Sequence, residues 1–389
     1  QVQRGLSNTA LPTPSIGGTM NIVTDPAASR RGGLVKTEIG DDDFYKVSAV
    51  YNTGMLDNKF ALTTGLTLKK GEGFVDAAWS ESVGYYLGAT WKVNSLHRLE
   101  LFAIGAAQQH GKRSFASNIA AYDVGLARDF GYTDEQLYTV PVGGTSAQRN
   151  LNAGVLYQGA VAAGEDFNPN AAPVTVDYNG QQYYWGRTHS RKKGGYLNEV
   201  VNYSHKPQVN LNWYATISDE LKLTSVFYYS GVDAGSSGTL GSVQRYTPAT
   251  QRLNGNVNWD ATITQNRGNI VGGSARSLGI LRNSINNQEQ FGAISKLSYD
   301  ATPDLTLTTG LDWRTAQIDH YREVRDLLGG DYYLASTSED SDFWPDGTNT
   351  QLRLGDKVDY DNTNSVDWLG FFLQGQYEKG PFTAFGVYG

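Results

Sequence analysis

Strand-length segments in which apolar residues alternate with small or polar residues recur along the whole chain. In segment 60–69 the side chains of Phe60, Leu62 and Leu66 share one face, and small or polar residues occupy the other. A period of two residues predicts a β-strand with one apolar face. The sequence therefore predicts an all-β fold of about eleven strands, at 33–39, 44–53, 60–69, 82–93, 97–109, 208–215, 221–235, 289–301, 305–314, 366–378 and 381–389.

The connections between these segments alternate strictly between short and long. Tight turns rich in Asn, Asp, Gly and Pro follow every second strand, as hairpin chemistry requires. In an up-and-down meander all tight turns then lie at one end of the sheet and all long loops at the other, which is the asymmetry of an outer-membrane barrel. The turns are at 56–58, 94–95, 218–220, 302–304 and 378–380, and the longer connections are at about 40–43, 70–81, 110–205, 236–288 and 324–365.

A soluble β-sandwich or jelly roll is the alternative, since its strands also alternate apolar with polar residues and its turns are also rich in Gly. Sandwich strands are usually about five or six residues long, whereas several segments here reach ten or more, the length of a tilted membrane-crossing strand. Aromatic residues near the strand ends fit the girdles at two membrane interfaces. The membrane barrel is therefore favoured over the sandwich. The strand-end aromatic residues that fit the girdles are Tyr45, Tyr51, Trp91, Tyr299, Trp313, Trp368 and Tyr377.

Composition excludes several classes of protein. The net charge of -7 argues against a globally basic nucleic-acid binder. The absence of Cys excludes disulfide frameworks, cysteine zinc sites and cysteine nucleophiles. No stretch of about 18 apolar residues is present, so no transmembrane helix is encoded, which leaves open the route by β-strands. No Ser-His-Asp order, HExxH, P-loop or dinucleotide fingerprint occurs, so no enzyme is expected.

A compound motif precedes the first predicted strand. Val2-Gln3-Arg4-Gly5 is followed by the segment 16–24, Ile-Gly-Gly-Thr-Met-Asn-Ile-Val-Thr. This pattern resembles the end of the plug domain in TonB-dependent outer-membrane receptors, where V-x-R-G is followed by I-G-G-x-x-N-I-x-T. The alternative is a Gly-rich turn before an ordinary strand. The residues that carry the resemblance are Arg4, Gly5, Ile16, Gly17, Gly18, Asn21, Ile22 and Thr24.

The resemblance implies a barrel of 22 strands closed by an N-terminal plug. Residues 1–28 would be the end of the plug, and 29–389 the first half of the transmembrane barrel, with long extracellular loops at 110–205, 236–288 and 324–365. Because the chain starts without Met and stops inside a predicted strand, it is expected to be an interior fragment, without the TonB box, most of the plug and the second half of the barrel.

The resemblance also implies a function, that of an integral outer-membrane active transporter that captures a scarce solute on its extracellular loops. The expected partners are the TonB-ExbB-ExbD complex, the lipid bilayer and lipopolysaccharide, with a surface lipoprotein as a further candidate and no nucleic acid. An iron-siderophore complex is the favoured solute. The alternatives are oligosaccharide or peptide uptake by the same mechanism, and, in a different class, a secreted glycan-binding β-sandwich. A porin is disfavoured by the plug motif.

Charged residues on the polar faces are candidates for plug–barrel contact. The family pairs plug arginines with barrel carboxylates, so Glu100 and Asp312 are candidate partners of Arg4, and Arg314 projects to the same side. The alternative is a set of solvated lumen charges without a specific partner.

Ligand capture is expected on the long loops, where flat rings lie beside hydrogen-bond donors. The alternatives are rings that pack loops together and a salt-bridged strand extension at 320–326. Asp340, Asp342 and Asp346 loosely resemble a calcium loop, the one candidate cofactor site, with a solvated acidic loop as the alternative. Haem uptake is disfavoured, because Asn168-Pro169-Asn170-Ala171 departs from the family's N-P-N-L box. The substrate-binding candidates are Tyr183, Tyr184, Trp185, Arg187, His320, Arg322, Tyr332, Tyr333 and Trp344.

Overall fold

The computed structural model describes residues 2–4, 18–20, 24–114, 119–134, 164–191, 195–245, 256–334 and 351–389. Strands dominate this part of the chain, as the alternation predicts. Within these described ranges a 3-10 helix spans Ile119–Ala121, and the α-helices are α1 (Val124–Asp129) and α2 (Trp259–Gly268). Neither α-helix has the length and apolar character needed to cross a membrane. The strands are β1 (Val2–Arg4), β2 (Gly18–Met20), β3 (Gly32–Ile39), β4 (Tyr45–Asn52), β5 (Phe60–Gly71), β6 (Ser80–Lys92), β7 (His97–Gly111), β8 (Ala171–Pro173), β9 (Gln181–Tyr184), β10 (Arg187–Ser190), β11 (Tyr196–Asn198), β12 (Val201–His205), β13 (Gln208–Thr216), β14 (Leu221–Gly241), β15 (Ile270–Val271), β16 (Ser274–Ser277), β17 (Gly279–Thr302), β18 (Leu305–Asp326), β19 (Tyr332–Leu334), β20 (Gln351–Leu352), β21 (Lys357–Lys379) and β22 (Phe382–Tyr388).

One antiparallel sheet of twelve strands carries the architecture, and its order follows the sequence: β3-β4-β5-β6-β7-(β12, β13)-β14-β17-β18-β21-β22. Strands β12 and β13 are two halves of one crossing, since both pair with β7 and β14 in a continuous register. Pro207 separates them, because proline has no backbone N–H to donate to a neighbouring strand. All eleven predicted strands are thus present in an up-and-down order.

The connection lengths alternate as predicted. A tight turn joins β4 to β5, in which Asp57 and Asn58 have φ of 48° and 53° and the Lys59 N–H donates to the Leu56 carbonyl at 2.9 Å. Two consecutive positive φ angles match the twist of a hairpin. Short turns also follow β6, β13, β17 and β21, whereas β7, β14 and β18 lead into long connections. One end of the sheet is therefore made of turns and the other of loops.

Three of the strands are much longer than predicted at the loop end. Strands β17, β18 and β21 contain 24, 22 and 23 residues. Near their loop ends, side chains of both faces are buried: Leu281 packs with α2 and Leu328, whereas Ile280 packs with Val324 and Leu352 of β20. When both faces are covered, the apolar residues no longer alternate with exposed polar ones.

The two faces of the sheet differ in chemistry nearer the turn end. Register places Leu211 opposite both Leu101 and Phe227, so these side chains share a face. Leu369 on the same face is 72% exposed. We call this the apolar face; its exposed members are Leu66, Leu68, Val83, Trp91, Leu101, Leu211, Phe227, Phe291, Tyr299, Leu307, Leu311, Trp313, Leu369, Phe371, Leu373 and Tyr377. A continuous exposed surface of this kind marks a surface that meets lipid or a partner.

The opposite face, which we call the polar face, meets the last residue of the plug motif and the segment directly after it. The Tyr86 hydroxyl donates to Thr24 Oγ1 at 3.0 Å, and Pro26 lies against Gly88. Strand β6 places Tyr86 and Gly88 on the same side as Thr90, away from Trp91 and the apolar face. The chain therefore enters the sheet from its polar side.

Glycines of the sheet lie beneath aromatic rings of the neighbouring strand. Gly310 is the register partner of Phe372, which is fully buried, and a Cβ at Gly310 would lie 2.5 Å from Phe372 Cε1 and 2.7 Å from the Ser295 carbonyl oxygen. Glycine leaves the space that the ring occupies, and the ring covers the backbone that glycine exposes. Tyr85 over Gly105, Tyr203 over Gly235 and Tyr228 over Gly292 repeat the arrangement.

We predict that Gly310→Ala destabilises the full-length protein by about 1–3 kcal/mol, because the added methyl displaces Phe372 or the β17 backbone. Denaturant unfolding in detergent micelles measures this change. Gly84→Ala is the control, since its Cβ would meet nothing closer than Thr67 Cβ at 3.9 Å. Equal stability of the two variants would contradict this account of the glycine–aromatic pairs.

Candidate functional site

The polar face brings Glu100 and Asp312 into one row. Glu100 lies opposite Asn212, and the row continues through Val226 and Ile294 to Asp312. The two carboxylates are four strand spacings apart, roughly 19 Å along the sheet. Both therefore face the side on which the plug is expected, but they offer two separate contact points, so one arginine cannot meet both.

The carboxylates of Glu100 and Asp312 have different surroundings. Glu100 Oε1 lies 3.3 Å from Arg98 Nε, and the Arg98 guanidinium stacks over Tyr214 at 4.4 Å. Asp312 is 7% exposed, and its Oδ1 has no hydrogen-bond partner among the described residues. Thr90 Oγ1, in the same row, is also buried and unpartnered there. A buried acceptor without a donor is costly, so this row is suited to receive donors from another segment.

Several residues of the predicted plug contact are only partly described. The backbone of Arg4 pairs with Gly18 across β1 and β2, whereas Gly5, Ile16, Gly17, Asn21 and Ile22 lie outside the described residues. Arg314 stacks over Trp368 at 5.4 Å on the polar face. The contact between Arg4 and a barrel carboxylate stays a prediction.

The predicted aromatic cluster Tyr183-Tyr184-Trp185 forms the tip of the β9–β10 hairpin. Trp185 and Gly186 make the turn with φ of 50° and 66°. Tyr184 is buried and stacks on His189 with ring centroids 3.8 Å apart. Its ring also contacts Tyr203 at 5.8 Å. The hairpin thus packs onto the sheet, with Tyr183 and Trp185 half-buried and Arg187 exposed.

The hairpin covers the continuation of the apolar face toward the loop end. Tyr203 lies opposite Gly235, Gly235 opposite Ile285, and Ile285 opposite Tyr321. By the two-residue period, these positions share the face of Leu211 and Phe291. Tyr184, Tyr203 and Ile285 form one buried cluster with Trp185 and Tyr321 packed against it. The rings of the hairpin therefore lie on the side opposite the plug-side segment.

A buried polar network fastens the hairpin to the end of β18, and sequence analysis did not identify it. Arg325 donates to Gln182 Oε1 and Asn283 Oδ1, both at 3.1 Å, and stacks over Tyr184 at 4.6 Å. Asp326 accepts from Tyr178 and from Gln182 Nε2 at 3.2 Å. Burial lowers the pKa of Arg325 and raises that of Asp326, because each charge loses hydration.

The other substrate-binding candidates lie in different places. His320 is on the polar face opposite Asn286, and Arg322 forms an ion pair with Asp359 and stacks over Tyr360 at 5.0 Å. Tyr332 is buried and Tyr333 half-buried in β19. Trp344, Asp340, Asp342 and Asp346 lie outside the described residues.

No group of three or more His, Asp or Glu side chains in the described ranges could hold a metal ion. The calcium loop therefore stays a prediction for residues that are not described. Asn168 and Asn170 belong to the segment that departs from the N-P-N-L haem box of the family. Both are buried and form hydrogen bonds: Asn168 Nδ2 donates to the Asp76 carbonyl at 2.8 Å, and Asn170 Nδ2 donates to Glu199 Oε1 at 2.7 Å.

No protein-family model and no curated protein sequence matches the chain. Several solved structures match the chain. The ferripyoverdine receptor of the Pseudomonas aeruginosa outer membrane, bound to ferripyoverdine, gives a TM-score of 0.53 at 11% identity over 97% of this chain and 39% of that one. P. aeruginosa FpvA with a heterologous pyoverdine gives a TM-score of 0.54 at 12% identity, over 99% of this chain and 40% of that chain. BauA, the ferric preacinetobactin receptor from Acinetobacter baumannii, gives a TM-score of 0.50 at 12% identity, over 96% of this chain and 43% of that chain.

These likenesses define the fold, which is that of the TonB-dependent outer-membrane receptors. The predicted fold class is confirmed at this level. The chain spans about two fifths of the length of these receptors. The neighbours are receptors rather than enzymes.

We predict that Asp312→Asn lowers the stability of the full-length protein by about 1.5–3 kcal/mol, because a plug donor would lose a charged acceptor. Denaturant unfolding in detergent checks this. Asp367→Asn, at an exposed position on the apolar face, is the control. If no donor reaches Asp312, removal of its buried charge would instead stabilise the protein, and that result would contradict the contact.

Proposed function

We propose that this chain is part of a TonB-dependent active transporter that imports an iron-siderophore complex across the outer membrane. The observation that carries the proposal is the sheet with two unlike faces: one face is apolar and exposed, and the other carries the buried acceptors of Asp312 and Thr90 and is contacted by Thr24 and Pro26. A wall of this kind has lipid on one side and a plug on the other.

The iron-siderophore class is supported by the charge of the polar face. Lys69, Arg282, Arg314 and Arg322 all project from that face by register. Arg314 and Arg322 lie beyond Asp312 in the direction of the loops, and Arg322 is paired with Asp359. Cationic side chains on a path attract an anionic solute such as a ferric chelate. The neighbours are named as ferripyoverdine and ferric preacinetobactin receptors. Oligosaccharide or peptide uptake is the second candidate for the same mechanism.

The partners of the proposed transporter follow from its class. Glu100 and Asp312 seat the plug, with Arg4 as one candidate partner, and the TonB-ExbB-ExbD complex supplies the energy. The exposed apolar side chains contact the lipid bilayer. This proposal makes the protein a transporter and not an enzyme.

A deletion strain tests the proposal in iron-limited medium. We expect it to lose the uptake of at least one iron-55-labelled ferric chelate, and we expect plasmid-borne full-length protein to restore that uptake. The restored uptake should stop when the proton-motive force is collapsed, since import is energy-driven. Unchanged uptake of every ferric chelate by the deletion strain, with unchanged iron content, would contradict the iron-siderophore assignment.

A further inference from the structure

Two arginines lie side by side on the polar face, near the loop end of the sheet. Arg322 is the register partner of Ser284, and Arg282, two residues before Ser284 on β17, is the register partner of Val324. Arg282 and Arg322 are therefore diagonal neighbours on adjacent strands, with their Cβ atoms within about 8 Å of each other. We call these two residues the arginine pair. Like charges this close repel each other, and an anion bound between them would relieve the repulsion.

A small sheet covers the arginine pair on the side of the loops. One step nearer the loops on the same face, Ile280 and Val324 are fully buried and pack with Leu352 of β20 and with Val358. The arginine pair, directly below this cover, is only half-buried. Its remaining exposure is therefore toward the polar side of the wall and not toward the loop end.

The guanidinium of Arg282 has a neutral acceptor. Its Nη1 donates to the Ser236 carbonyl at 3.3 Å, and the group lies over Gly238, where a Cβ would be 2.8 Å from Nη2. Its Nε is buried and has no hydrogen-bond partner among the described residues. A buried donor without an acceptor is costly. An anion on the polar face would supply the missing acceptor.

Arg322 has a carboxylate partner, and an unusual backbone conformation presents it. Asp359 forms an ion pair with Arg322, whose guanidinium also stacks over Tyr360 at 5.0 Å. Residues 358–360 of β21 lie opposite the single residue Arg322, which makes a bulge in the strand pairing. Within this bulge Asp359 has a φ of 77°. Bulges re-aim side chains, and a non-glycine residue at positive φ is a feature of functional sites.

The charges around the arginine pair leave one positive charge in excess. Burial and the charge of Arg322 lower the pKa of Arg282, whereas Asp359 and Glu199 act in the opposite direction. Glu199 is already occupied, since it pairs with Arg245 at 2.7 Å and accepts from Asn170 at 2.7 Å. Asp359 is thus the one carboxylate that the described residues give to the two guanidinium groups of the pair.

The polar face directly below the arginine pair is lined by neutral hydroxyl and amide groups. Register places these side chains in the next rows toward the plug side, and all of them are at least partly exposed. Hydroxyl and amide groups both donate and accept hydrogen bonds, so this surface suits a hydrophilic solute with hydroxyl and carboxyl groups. The residues are Asn202, Ser204, Ser236, Ser284, Asn286 and Asn362.

We infer that the arginine pair is a subsite for a free carboxylate of the transported solute, and that Asp359 is an internal counter-ion which this carboxylate replaces on Arg322. Guanidinium groups match carboxylates in shape and can bind them with two hydrogen bonds. The inference rests on the proposed function, which makes the polar face the route of the solute. It narrows the solute to a ferric chelate with carboxyl and hydroxyl groups.

Isothermal titration calorimetry of the full-length protein in detergent tests the inference with two probes. These are ferric citrate, which carries carboxyl and hydroxyl groups, and ferrioxamine B, a tris-hydroxamate chelate without a carboxylate. We expect ferric citrate to bind, and Arg282→Gln to weaken its affinity about tenfold or more, as the loss of a charged hydrogen bond predicts. Any affinity for ferrioxamine B should be unaffected by this substitution.

Asp359→Asn gives the sharper result, because the expected sign is opposite to that of a structural role. The substitution removes the carboxylate that competes for Arg322, so the affinity for ferric citrate should rise about fivefold. Asparagine tolerates the positive φ of this position, so the backbone should be retained. A tighter complex also cannot result from a damaged fold.

Lys222→Gln is the matched control. Lys222 lies on the polar face at the turn end of β14, where it pairs with Asp300 at 3.4 Å. It precedes Gly238 on the same strand by 16 residues, roughly 50 Å. Its loss should leave the affinity unchanged. The inference is overturned if ferric citrate does not bind, if both glutamine variants weaken binding equally, if Asp359→Asn weakens binding, or if ferrioxamine B is equally sensitive to Arg282→Gln.

Uptake in cells separates this inference from the proposed transport function. Binding of ferric citrate with the expected response to both variants, together with unchanged iron-55 uptake in the deletion strain, would count against the transport proposal alone. Loss of chelate uptake in the deletion strain, together with binding that is insensitive to Arg282→Gln, would count against the subsite alone.

Discussion

Antiparallel hydrogen bonding between each strand and the next along the chain is the interaction on which the rest of the structure depends. In hydrocarbon no water is present to satisfy backbone N–H and C=O groups, so neighbouring strands must do so. A meander of this kind then has two faces, fixed by the two-residue period. Here the apolar face carries exposed residues such as Leu369 and Phe371, and the polar face carries Glu100 and Asp312. The functional proposals all derive from that separation.

The sequence was sufficient to predict the eleven crossings, their order and the alternating connection lengths, because each depends on local periodicity and turn chemistry. It did not predict the loop-end extensions of β17, β18 and β21, where both faces are covered and the alternation disappears. It predicted β13 but not β12, since the short segment before Pro207 has no clear period. The plug motif identified the fold, although similarity in sequence alone matches no family model.

Less of the candidate site than of the fold could be predicted from the sequence. The placement of Glu100 and Asp312 on one face followed from alternation. The network around Arg325 did not, because Gln182 and Asp326 are separated by 144 positions and nothing local connects them. The rings of Tyr184 and Trp185 were candidates for ligand capture, and the structure packs them against Tyr203. Residue type indicated an aromatic cluster, whereas only the tertiary structure shows which side of the sheet it covers.

Spin labels at two adjacent residues of β13 test the central claim most directly, since the chain has no cysteine of its own. Leu211→Cys and Asn210→Cys place labels on the apolar and polar faces of one strand. In outer membranes, the account predicts that the label at residue 211 relaxes strongly with lipid-soluble oxygen, and that the label at residue 210 does not. Equal relaxation at both residues, or the reverse order, would contradict a wall with lipid on one face and plug on the other.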